Sequence, residues 1–126
     1  MRKYAPALVI DIVLVVVFAA LGRSSHDETL SIPGIATTAW PFLAGLTVGW
    51  FATAMLYRDK FDARAAVPTG VLVWLCTLVV GMLLRVVTGQ GTATAFIVVA
   101  TLFLGVFLVG WRLIDRRWVH RDTAKR

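Results

Sequence analysis

Four apolar segments, residues 5–22, 38–57, 68–87 and 92–114, take up most of this 126-residue chain. Each is long enough to cross about 30 Å of hydrocarbon as a helix. Charged residues fall almost wholly between them. Lipid offers no partner to a backbone N–H or C=O, so a span of this kind must satisfy its own, and a helix does so. The expectation is an all-α integral membrane four-helix bundle. It would be a single transmembrane domain over residues 1–126, multi-pass in the cell membrane.

Composition points the same way. Hydrophobic residues make up 59% of the chain, more than a soluble domain of this size can bury without large exposed patches. A net charge of +6 does not imply nucleic acid here. The basic residues lie beside apolar spans, where they set orientation and meet anionic lipid. The lone Cys76 sits inside the third span and reads as a small hydrophobe.

Charge also predicts topology. Eleven Lys and Arg fall on the side that carries both termini and residues 58–67; only Arg23 and Arg85 fall on the other. Cytoplasmic loops carry the excess of positive charge, so both termini are expected in the cytoplasm. Residues 2–3 followed by an apolar stretch ending in Ala20-Leu21-Gly22 resemble a secretory signal. Asp11 is unusual within such a stretch, and its length suits a span.

Small residues line the spans. Gly45 and Gly49 form a Gly-x-x-x-Gly step, extended by Thr53, which lets two helix backbones approach closely. The expected use is packing within the bundle, with a dimer face as the alternative. Gly70, Trp74, Thr77, Gly81, Arg85 and Thr88 share one face of span three, and Gly81 is its central packing glycine. Pro41 is placed in the first turn of span two, after the candidate caps Thr37 and Thr38, where a missing N–H costs little.

Two kinds of charge need an explanation. Asp11 lies about 10 Å into span one at a rise of 1.5 Å per residue. A carboxylate near the centre of a span costs roughly 2.5–3.5 kcal/mol. It reads either as a proton-coupling group or as a hydrogen-bonded residue that pins helices, with Thr53, Tyr57 or Thr69 at similar depth. Arg85 is too far along the membrane normal to reach it. Arg112, with Arg116 and Arg117, is expected to meet lipid phosphates or simply to be solvated.

Topology does not call for Arg23 and Arg85 on the outer face. Together with His26 and the turn containing Gly89 and Gly91, they suggest an outward anion or headgroup pocket beside helix N-termini. The plainer reading is local. Ser25-His26-Asp27-Glu28 fits a capping box, and its acids neutralise the arginines. No His/Cys set has metal-ligand spacing, and no nucleophile–base constellation is present. A metal, a cofactor and enzymatic activity are therefore not expected.

These residues resemble a known family. The matching elements are Asp11; Phe18 to Gly22-Arg23-Ser24-Ser25-His26; Trp40-Pro41-Phe42; Gly49-Trp50; Gly81-Met82-Leu83-Leu84-Arg85; and Gly91-Thr92 with Ala95-Phe96. They resemble the uncharacterised four-span membrane proteins catalogued as domain of unknown function three-zero-five-four. The resemblance implies membrane location and four helices, and carries no activity with it. Four short helices with a carboxylate in the first also look similar to small multidrug exporters, whose surrounding pattern this chain does not reproduce.

Two functions follow as expectations. One is a carrier or binder of an anionic metabolite or lipid headgroup at the outer face, coupled to protons through Asp11. The other is a non-catalytic accessory or assembly subunit of a membrane complex. Expected partners are membrane lipids and a second copy or larger membrane complex, with no nucleic acid.

Overall fold

A computed structural model describes residues 4–25, 31–90 and 94–124, the side chains of 23–25 and 116–124 excepted. Four long helices account for most of them: α1 (Ala5–Ser25), α2 (Ile32–Tyr57), α3 (Val71–Val87) and α4 (Thr94–Ala124). No strand occurs among the described residues. Four helical stretches among the described residues, Ala5–Gly22, Ile32–Lys60, Ala66–Val87 and Thr94–Asp115, are long and apolar enough to cross a membrane. Large apolar side chains stay on the outer faces, with Met55 74% and Val106 68% exposed. Such surfaces suit lipid and not water.

The helix starts reflect local chemistry. Pro6 lies in the first turn of α1 and Pro33 in that of α2, positions whose N–H has no intrahelical partner. The Ser31 hydroxyl accepts from the Gly34 N–H at 3.0 Å and caps α2. Helix α2 thus begins six residues before the expected span. Pro41 is in its interior, not its first turn, and the residue expected as a cap, Thr37, instead donates its hydroxyl back to the Pro33 carbonyl. At its other end α2 gives way to a single 3-10 turn, Arg58–Lys60, and a wide turn over Ala66–Gly70 leads into α3. Helix α4 runs on past the apolar segment to Ala124.

The helices form a ring. Helix α1 packs on α2 and α4, and α3 closes the circle between α2 and α4. The centre is filled by Val15, Phe18, Phe42, Leu46, Val73, Ala100, Leu104 and Leu108. The rings of Phe18 and Phe42 meet edge to face at 5.3 Å, with Phe96 tilted against both.

The pair α2–α3 is the closest. A Cβ added at Gly45 would lie 2.9 Å from the Cys76 carbonyl oxygen and from Thr77 Cα, both backbone atoms. One at Gly49 would lie 3.0 Å from Val73 Cα. Here the Gly-x-x-x-Gly step faces a neighbour in the same chain. Gly81 seats the Phe42 ring, and Gly105 seats the Trp74 ring, whose indole N–H donates to the Thr101 carbonyl at 3.0 Å.

Candidate functional site

The bundle has two ends. The proximal end holds Tyr4, the 58–70 connection and the later part of α4. The distal end holds the end of α1, the start of α2 and the α3–α4 turn. Each carries one arginine in a defined setting.

At the proximal end Asp11 and Arg112 form a salt bridge with both side chains fully buried. The guanidinium grips the carboxylate with two parallel bonds: Nη1 to Oδ1 at 2.9 Å and Nη2 to Oδ2 at 2.7 Å. Two indoles complete the shell. Trp111 donates to Oδ1 at 2.8 Å and Trp50 to Oδ2 at 2.8 Å. The carboxylate thus accepts four bonds, the full capacity of its two oxygens. Arg112 is anchored from behind as well. Its Nε donates to the Ala63 carbonyl and its Nη1 to the Leu108 carbonyl, each at 2.9 Å. No buried side-chain nitrogen or oxygen among the described residues lacks a hydrogen-bond partner.

This cluster ties together elements far apart in sequence. Asp11 comes from α1, Trp50 from α2, Ala63 from the α2–α3 connection, and Trp111 and Arg112 from α4. Phe61 packs between the Tyr4 and Trp50 rings, tilted against the first at 5.2 Å and edge-on to the second at 5.8 Å, and lays the connection over the proximal end. At its rim Arg64 pairs with Asp115 at 3.4 Å, an exposed contact that adds little stability.

Two expectations change here. Arg112 is buried, not displayed to lipid or solvent. Its place one turn before the polar tail leaves it inside the bundle, where a charge persists only when paired. The polar neighbours expected for Asp11 are not among its hydrogen-bond donors. Thr53 donates to the Gly49 carbonyl and Thr69 to the Asp62 carbonyl, so those hydroxyls are satisfied locally, and Tyr57 is exposed. Residues 58–67 contribute to the cluster too, because Ala63 supplies one of the bonds that orient Arg112.

At the distal end Arg85 lies with its guanidinium carbon 4.3 Å from the Phe96 ring centre, a cation–π contact between α3 and α4. Its Nη1 donates to the Gln90 side-chain oxygen at 3.2 Å and its Nη2 to the Gln90 carbonyl at 3.1 Å. The turn that presents Gln90 is a Schellman cap. Gly89, at φ +73°, donates its N–H to the Val86 carbonyl, and the Gln90 N–H reaches the Arg85 carbonyl. The Gly89 N–H is therefore engaged in ending α3. The Arg23 side chain, the capping box at 25–28 with His26, and Gly91 lie outside the described residues. No group of His, Cys, Asp or Glu suited to a metal occurs among the described residues.

Fold and site together define a small helical bundle, apolar enough to be a multi-pass membrane protein, with a buried, hydrogen-bonded ion pair at one end. Residues 8–114 match the family model described as Protein of unknown function (DUF3054), and the chain belongs to that family. No curated protein and no solved structure matches it.

Proposed function

We propose that this chain is a multi-pass membrane protein that binds an anionic metabolite or lipid headgroup at its distal end, through Arg85. The observation that carries this reading is the setting of Arg85. Its guanidinium is stacked on Phe96 and oriented by both oxygens of Gln90, so a planar cation stands fixed where α3 closes on α4. Fixing the side chain beforehand lowers the ordering cost of binding. A planar fork suits carboxylate or phosphate. In the proposed orientation the proximal end is cytoplasmic and the distal end faces outward.

The test is the melting of purified protein in neutral detergent with and without phosphatidylglycerol. A ligand of the folded state raises the melting temperature by mass action. Arg85→Leu should lose most of that rise. Arg64→Leu, at the exposed proximal rim, should keep it. Equal responses of the two variants would contradict the proposal. Orientation is checked by thiol labelling in intact cells after Cys76→Ser. A cysteine at Glu28 should react with an impermeant reagent and one at Thr123 should not; the reverse pattern would overturn the orientation.

A second reading, a non-catalytic accessory or assembly subunit, is favoured by the proximal cluster. Asp11 gives all its acceptor capacity to its own chain, which is what a residue that pins helices does. Proton coupling through Asp11 would require it to release one of these bonds first. Under the second reading phosphatidylglycerol would leave the melting temperature unchanged in every variant.

A further inference from the structure

The donors around Asp11 are held in place by contacts other than Asp11. Arg112 is oriented by the Ala63 and Leu108 carbonyls. Its Cδ lies against Gly70, where a Cβ would come within 3.0 Å. The Trp111 ring lies under the guanidinium, 4.7 Å from centre to carbon. Trp50 is braced edge-on by Phe61. The four N–H groups thus point at one place, and the structure that aims them does not include the group they serve.

We propose that Arg112, Trp50 and Trp111 form a carboxylate-binding site that the chain fills with its own Asp11, and that a small free carboxylate such as formate occupies it when that side chain is cut back. The two guanidinium bonds and two indole bonds divide evenly between two oxygens. That pattern fits the planar, two-oxygen form of a carboxylate and not a single-centred anion such as chloride. In the native chain Asp11 is a tethered ligand, present at a high effective concentration that keeps free anions out. Helix α1 is thereby fastened to α4 as a ligand is fastened to its site. This inference rests on the proximal cluster alone, so it stands or falls apart from the reading of Arg85.

The experiment compares Asp11→Ala with a chain that keeps Asp11, in neutral detergent, melted in sodium formate and in sodium chloride at equal ionic strength. Formate should raise the melting temperature of Asp11→Ala by several degrees, with a saturable dependence on concentration. With Asp11 in place and Arg85→Leu removing the distal cation, the chain should melt alike in both salts. Benzoate, too bulky for the vacated space, should not substitute for formate. Asp11→Ala combined with Arg112→Leu should lose the formate effect. A folded Asp11→Ala that melts alike in the two salts would overturn the proposal. If Asp11→Ala folds only when extracted into formate, the site is supported. If it folds in neither salt, the claim that the donors stand without Asp11 is wrong.

Discussion

Asp11→Ala is expected to cost the bundle about 3–5 kcal/mol in neutral detergent without added carboxylate, and Arg112→Leu a similar amount. Each change leaves a charge, or the donors aimed at it, buried without its partner. Removing Asp11 leaves a fully buried guanidinium and two indole N–H groups without their acceptor. Removing Arg112 leaves a buried carboxylate held by two indoles alone. The comparison with an exposed pair at the same end is internal. Arg64→Ala, which breaks only the rim contact to Asp115, should cost no more than about 1 kcal/mol. Reversible unfolding followed by tryptophan fluorescence checks all three. A loss below about 1 kcal/mol for Asp11→Ala would mean that water reaches the cluster.

Gly45→Leu is the second large effect, and it acts through the backbone. The space a side chain would need at this position is occupied by the Cys76 carbonyl oxygen, Thr77 Cα and the Thr77 carbonyl oxygen, all 2.9 Å from an added Cβ. Backbone within a helix cannot rotate aside as a side chain does, so α2 and α3 must separate. Overpacking a close contact typically costs about 1–3 kcal/mol, and more where no atom can yield. The expected result is a loss of at least about 3 kcal/mol for Gly45→Leu. Gly22→Leu, with open space around its Cβ position, should be nearly neutral. The same thermal melts decide between them, and equal stability of the two variants would mean that α2 and α3 are not in backbone contact.

Much of the architecture was legible because the bilayer constrains it so strongly. Runs of about 20 apolar residues declare helices, and the glycines at 45, 49 and 81 declare close approach. The ends of the helices were less legible. The apolar window missed the first six residues of α2, because Pro33 and Gly34 are poor helix formers in general, although Ser31 caps this helix and Pro33 suits its first turn. The ion pair was within reach of a simple depth argument. Asp11 is six residues from the start of α1, about 9 Å, and Arg112 lies near the end of an antiparallel span at the same side. The long arginine side chain covers what separation is left. The pair is concealed in the sequence because Arg112 is followed closely by the basic residues Arg116 and Arg117. The Trp111 indole was hidden for a similar reason: a Trp near a span end suggests the interface, whereas Trp111 turns its N–H inward to the carboxylate.

If Asp11 and Arg112 act as one unit joining α1 to α4, a double-mutant cycle will show the coupling between them. Asp11→Leu, Arg112→Met and the pair of changes together would be unfolded under identical conditions. The double variant should be more stable than either single one, because it alone leaves no buried charge unpaired, so the coupling should exceed the loss of about 3–5 kcal/mol expected for a single change. Losses that add to within about 0.5 kcal/mol would show two independent residues and contradict it.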